Sequence, residues 1–288
     1  MSEDEAAANG SSRGELRSGR GRLRAGAAVL LVALAAIFIF GPEAIERASE
    51  ARPGERFALP GPDHLLGTDD RGRDTLTRVA VALGATGARQ AGLWFLAFVA
   101  GTAVGIVRGM LPRFLQSPIG AFYRSWECFP MVSLAGVLVI SSGVSGPSLV
   151  LLLGAMGAVS VSRRVGDVVD TVAAHNCYRA AAASCVPWGR RQIRYRVPQA
   201  CRAGFHAALA FLAPALIWET SLSFISPEVA VSPWSLGSLI REGSPYFMDA
   251  PWLVFSPAGI LFLLVLGFRL IEAVSASRLR QRLAPLSE

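Results

Sequence analysis

The sequence predicts an all-α membrane protein of about six transmembrane helices, with both termini on the inner side. Composition is the first ground: of 288 residues, 52% are hydrophobic and 17% charged, whereas soluble domains carry about 25% charged residues. The second is distribution, because the apolar residues come in long blocks near the length of about 20 residues that a helix needs to cross a bilayer. The third is the placement of arginine, which gathers in alternate connecting segments.

Residues 1–24 are polar, rich in Gly, Ser, Ala and Arg, and without apolar periodicity, so a disordered inner tail is expected. Ala25–Phe40 is an unbroken apolar run preceded by Arg17, Arg20, Arg22 and Arg24. Such a run fits a signal peptide or an anchored helix. Gly41-Pro42-Glu43 follows it in place of a small-x-small cleavage site, which favours a retained first span over 25–41. The later blocks are Ala91–Val107, Phe129–Ile140 with flanking residues, Ser148–Val161, Ala203–Ile225 and Pro251–Phe268. The third span is the least regular, with Arg124 and Glu127 near its start. The resulting division is an outer segment over 42–86, a core of five spans over 87–276 with an inner loop at 163–202, and an inner tail over 277–288.

Every one of the 28 basic residues is Arg. In a membrane chain positive charge mostly records which loops stay inside. Arg163, Arg164, Arg179, Arg190, Arg191, Arg194, Arg196 and Arg202 crowd one loop, and Arg278, Arg280 and Arg282 the C-terminal tail. The segment Ser226–Ala250 opposes Arg241 with Glu228, Glu242 and Asp249. The first outer segment is less clean, with six arginines among many acids. The four cysteines show no metal-ligand spacing, and their placement predicts reduced thiols.

Between the first two spans, His64–Asp74 reads H-L-L-G-T-D-D-R-G-R-D. A Gly-rich, charged segment there is not expected in a core. Asp69, Asp70 and Asp74 interleaved with Arg71 and Arg73 predict a surface-lying segment held by ion pairs, and the arginines oppose any bound cation. Through His64, Leu66, Gly67, Thr68, Asp69, Gly72, Arg73 and Asp74 the segment resembles the H-x-L-G-T-D-x-x-G-R-D signature of the inner-membrane permeases of binding-protein-dependent peptide importers. That family is the dipeptide/oligopeptide/nickel branch of the ABC transporters. The resemblance implies a type I importer permease fold and alternating access driven by separate cytoplasmic ATPase subunits. It also implies a second permease subunit forming a heterodimer and an extracytoplasmic substrate-binding protein. Peptides or a related small solute would be carried, with no chemistry and no cofactor in this chain.

The inner loop holds Tyr178–Ser184, a helix-forming run by propensity. Pro187, Trp188 and Gly189 are expected to break it, and Arg190–Val197 to resume a short Arg-rich helix before Pro198. This pattern resembles the family's coupling loop, E-A-A-x(3)-G with a distal L-P. Arg194 to Ala200 aligns with R-H-I-L-P-N-A through Pro198, so Ala180 and Ala181 take the two alanines after Tyr178. Arg179 then stands at the usual Glu and Cys185 at the usual Gly. The first reverses a charge at the ATPase contact implied by the resemblance; the second removes the freedom to take positive φ. A diverged permease-like subunit, with an unusual solute or weakened coupling, is the alternative that these departures support.

Toward the C-terminus, Glu219 to Ile225 resembles the family's E-x-x-L-S-F-L-G, Ser235 to Leu239 its W-G-S-M with Leu236 at the Trp, and Ala250-Pro251-Trp252 its A-P-W. The closing family motif is degraded. Ionisable groups inside spans suggest function because they are costly there. His206 and Glu219 qualify, but they lie thirteen positions apart on different faces and cannot form one acid–base pair. His206 reads as an interfacial histidine near Arg202. Glu219 would line a pathway, bond a neighbouring helix or reach interfacial water. Pro214 predicts a kink in the fifth span, and Gly101, Gly105, Gly154 and Gly157 predict close helix packing. An intramembrane enzyme would need partners for His206 and Glu219 from other spans. No Walker A, H-E-x-x-H or G-x-S-x-G pattern occurs. A nucleic-acid role is disfavoured, since Trp188 and Tyr195 are too few aromatics among the inner arginines for a stacking surface.

Overall fold

The computed structural model describes residues 48–128, 136–137, 146–225 and 235–283. The expected first span, over 25–41, lies outside them, as does the expected third span apart from residues 136–137. Among the described residues the protein is helical and has no named strand, only an isolated bridge between Thr68 and Asp74. Among the described residues four helices are long and apolar enough to cross a membrane, and they contain the second, fourth and fifth expected spans and all of the sixth but Pro251.

The first of these, α1 (Thr75–Met110), starts where Asp74 accepts a hydrogen bond from the Thr77 backbone N–H at 2.8 Å, the N-cap that a helix start requires. It begins twelve residues before the core that the sequence divides off at 87. Leu111 and Pro112 then turn the chain into α2 (Arg113–Cys128). Helix α3 (Gly146–Ala174) likewise continues past Val161, where its apolar run ends. Two short helices, α4 (Asn176–Ala183) and α5 (Trp188–Arg191), and a π-helical turn over Gln192–Arg196 lead into α6 (Val197–Ile225). Pro214 lies inside α6, which continues through it. After α6 come α7 (Leu236–Gly243) and α8 (Trp252–Leu283). Helix α8 therefore runs into the stretch expected as a tail from 277.

Helices α1, α3 and α6 share one core, in which Leu93 and Ala97 meet Leu149, Leu153 and Met156 and the small face Ala200, Ala203, Ala207, Ala208 and Phe211. Closeness is set by glycine. Gly101, Gly105 and Gly109, one per turn of α1, face Val161, Val165 and Val169 of α3, and a Cβ at Gly105 would stand 2.6 Å from that of Val165. In lipid, where no hydrophobic drive separates helix from solvent, such small-residue contacts supply the van der Waals packing that holds helices together. A second core of Val79, Ala82, Leu83, Leu216, Leu236, Leu239 and Leu264 joins α1, α6, α7 and α8. Phe95, Val99, Val104 and Val107 on α1 and Phe262, Leu263 and Leu266 on α8 are exposed, as the outer surface of a membrane bundle requires.

Candidate functional site: an ion-paired loop, a buried pair and a cationic helix–turn–helix

The His64–Asp74 segment is not a solvated surface strip. Thr68 is fully buried and Asp69 is 2% exposed. Gly67 and Gly72 take positive φ (69° and 74°), which glycine does without strain. A Cβ at Gly67 would stand 2.6 Å from Trp252 Nε1, and one at Gly72 would collide with the Arg52 carbonyl. The folded loop presents the Thr68 hydroxyl to accept from the Ala58 N–H at 2.8 Å and to donate to the Glu55 carbonyl, while the Thr68 carbonyl accepts from Trp252 Nε1 at 3.2 Å. The A-P-W tryptophan and the loop threonine, 184 positions apart, are thereby joined.

Asp69 is the hub. Its Oδ1 accepts from the backbone N–H groups of Arg71 (2.8 Å) and Arg73 (2.9 Å), and its Oδ2 from Arg73 Nε (2.6 Å) and Arg78 Nη1 (2.7 Å). Arg78 then donates through Nη2 to Glu242 Oε2 of α7 at 2.6 Å, and Arg73 Nη2 lies 3.6 Å from the same carboxylate. Burial is affordable because every lone pair of the aspartate is met. Asp74 caps α1 and faces His64 Nδ1 at 3.2 Å, while His64 Nε2 lies 3.2 Å from Glu55. Leu66 is half-buried within the loop, with Leu65 beside it exposed. The ion pairs expected from the interleaved charges are present, but they close inward. Arg78 and Glu242 were not singled out from the sequence; the available signal was an arginine in the first turn of an otherwise apolar helix.

Within the bundle, Glu219 is 3% exposed and bonds a neighbouring helix. Arg89 Nε donates to one of its oxygens, and Gln90 Nε2 donates to the other at 2.9 Å. Arg89 escapes sequence reading because the apolar run begins only at Ala91. His206 lies elsewhere on α6, beside Phe205, with its buried Nδ1 lacking a hydrogen-bond partner. The two ionisable residues are not brought together.

At the opposite end, the inner loop folds as a helix, a turn and a second helix. The break falls earlier than expected: Pro187 does not interrupt a helix but stands as the N-cap of α5. Helix α4 ends in a Schellman motif, with Cys185 N–H donating to the Ala182 carbonyl and Val186 N–H to the Ala181 carbonyl, both at 3.3 Å. Cys185 takes φ 56°. The cysteine thus adopts the left-handed conformation that its replacement of glycine was expected to forbid, at a cost in strain rather than in shape. Tyr178 is the loop's own core. Its hydroxyl accepts from Gln192 Nε2 at 2.9 Å, and Arg196 and Arg191 lie over its ring at 4.8 and 5.5 Å. Ala181 is buried beneath, whereas Arg179 and Ala180 are exposed. Pro198 lacks the N–H that a regular helix would offer to the Arg194 carbonyl, and the π-helical turn precedes it. Arg179, Arg196, Asp170 and Gln116 border an open cavity of about 680 Å³ against Met110 and Pro112.

Among the described residues no group of three His, Cys, Asp or Glu side chains could hold a metal, and Cys177, Cys185 and Cys201 are free and exposed. Long apolar helices, a folded charged loop at one end and a helix–turn–helix at the other define a polytopic membrane protein whose polar groups hold helices and loops together. No family model matches the chain. It is 27% identical over 249 residues to a dipeptide transport system permease protein of Alkalihalophilus pseudofirmus, an alignment covering 84% of this chain and 80% of that relative. A putative peptide transport system permease protein of Brucella suis is 28% identical over 225 residues, covering 75% and 73%. An oligopeptide transport system permease protein of Haemophilus influenzae is 28% identical over 218 residues, covering 72% and 67%. The chain carries the long apolar helices of a transmembrane protein and is similar over most of its length to permease subunits of peptide transport systems.

Proposed function

We propose that this subunit lines, together with a second permease subunit in a heterodimer, a pathway for peptides or a related small solute through the cytoplasmic membrane. The pathway alternates between outward-open and inward-open states as separate cytoplasmic ATPase subunits bind and hydrolyse ATP. An extracytoplasmic binding protein delivers the solute to the side bearing His64–Asp74, and the loop at 163–202 meets the ATPase on the other, with both termini inside. The chain requires no cofactor of its own. The observation that carries this reading is the similarity to a dipeptide permease over 84% of the chain. Support comes from the inner loop, whose helix–turn–helix has a packed interior around Tyr178 and so can transmit a push as a unit.

Affinity purification of the full chain in gentle detergent, with partners identified by mass spectrometry, is the test. A second permease, one or two ATPases and a binding protein are the expected companions. Recovery of the chain alone, or with unrelated enzymes, would overturn the reading.

A further inference from the structure

The cavity of about 680 Å³ at the arginine-rich end has no part in the proposed pathway. Five elements meet around it: α1 through Met110, α2 through Gln116, α3 through Asp170, α4 through Arg179 and the π-helical turn through Arg196. Arg163 closes the apolar run of α3, and Asp170 lies seven positions further, about 10 Å beyond that boundary. The cavity is therefore on the aqueous side of the boundary. Its volume falls within the range of about 300–1,000 Å³ found for small-molecule sites.

The charges around it are held in place without being spent on one another. Arg196 Nη1 donates to Gln192 Oε1 at 3.3 Å, its guanidinium lies 4.8 Å over the Tyr178 ring, and its buried Nε has no hydrogen-bond partner. Arg179 makes no hydrogen bond or ion pair among the described residues. Asp170 accepts from Gln116 Nε2 at 3.4 Å, and that amide is itself held by the Leu111 carbonyl at 2.9 Å. Arg196 acts on Asp170 through space but does not reach it. Arg108 also acts on Asp170, yet it is engaged by Asp167 Oδ1 at 3.2 Å and by the Arg163 carbonyl at 3.0 Å. Two guanidinium groups and one carboxylate thus border one cavity unpaired. A simple anion would meet the carboxylate, and a simple cation would meet the arginines. A ligand that carries both signs satisfies all three.

We infer that this cavity binds a zwitterion, an α-amino acid or a short peptide, with its carboxylate on Arg179 and Arg196 and its ammonium on Asp170. Guanidinium groups take carboxylates through parallel hydrogen bonds, and an ionised aspartate accepts from an ammonium. Met110 and Pro112 supply an apolar wall for the ligand's side chain. A bound zwitterion bridges α4 and the π-helical turn to α3, and so ties the inner loop to the helix ends. The regulatory use of the site rests on the proposed function. There the ligand is the imported solute, or a product of its hydrolysis, returning to the inner side, and the tied loop resists the movement that transport requires.

The test is calorimetric titration of the full chain in detergent with L-alanyl-L-alanine and with L-alanine. The controls are the N-acetylated dipeptide, the dipeptide amide and inorganic phosphate. Saturable binding of a free zwitterion is expected, and the tighter of the two probes tells peptide from amino acid. Capping either end should weaken binding about tenfold or more, as should Arg179→Gln at its exposed position. Asp170→Asn should erase the preference for a free amine over an N-acetyl group; if that variant does not fold, the capped ligands on the unaltered chain still decide. The ligand should also slow hydrogen exchange of the α4 amides in the unaltered chain and not in Arg179→Gln. Failure of both zwitterions to bind, equal binding of the capped forms or of phosphate, or undiminished binding by Arg179→Gln would overturn the inference. Each of these leaves the proposed function standing, because co-purification of the partner subunits tests that reading separately.

Discussion

Asp69 shows what decides the fate of a charged residue. Its sequence neighbours, two arginines and a glycine, suggest a solvated turn, and the same neighbours bury it once the glycines let the backbone curl around its carboxylate. The ion pairing was legible in the interleaved charges. The burial was not, because its last guanidinium, that of Arg78, comes from the first turn of a helix and is itself fixed by Glu242. Cys185 shows the reverse: the position was legible as one that wants glycine, and the chain takes the glycine conformation regardless. An L-residue in the left-handed region costs about 1–2 kcal/mol, so Cys185→Gly is expected to stabilise the end of α4 by about 1 kcal/mol. Hydrogen exchange of the α4 amides should slow by about fivefold. Unchanged or faster exchange would mean that the Schellman turn is not strained.

At the scale of elements, the apolar blocks locate helices but understate them. Helix α1 begins sixteen residues before the apolar run at Ala91 and α3 extends thirteen beyond Val161, because polar and charged residues continue a helix wherever a neighbouring helix or loop receives their side chains. Arg89 is such a residue. Paired with Glu219, it fixes α1 to α6 beside Gln90. Removing either member leaves the other buried without its counter-charge, and Glu219→Ala is expected to cost about 3–5 kcal/mol. Adding Arg89→Ala to it should restore part of the loss, giving a coupling of about 1–3 kcal/mol in a double-mutant cycle. Thermal unfolding in detergent measures it, and strictly additive losses would mean that the two side chains do not hold each other. The glycines of α1 were legible as packing residues, whereas their register against Val161, Val165 and Val169 was not, since periodicity marks a face without naming its partner.

For the whole molecule, orientation is the property that function needs, and it can be read by chemistry. Cys177, Cys185 and Cys201 are exposed at the arginine-rich end. Met248, 92% exposed, lies at the other, close to Tyr246, whose ring packs on Phe57 of the outer segment. With the native thiols replaced, a single Cys185 is expected to react with a membrane-impermeant maleimide only after the membrane is opened, and a single Met248→Cys to react in intact cells. The opposite pattern would invert the topology and, with it, the assignment of the two loops to binding protein and ATPase. The sequence by itself determined the class of protein, the helical architecture, the two loops worth watching and the departures at Arg179 and Cys185, because hydropathy, arginine placement and glycine spacing are local properties of the chain. Only the tertiary structure decided that Asp69 is buried, that Arg89 answers Glu219 and that Trp252 closes over Thr68. Those facts depend on distances between residues far apart in the chain or on where a helix turns its faces, which the order of the residues does not state.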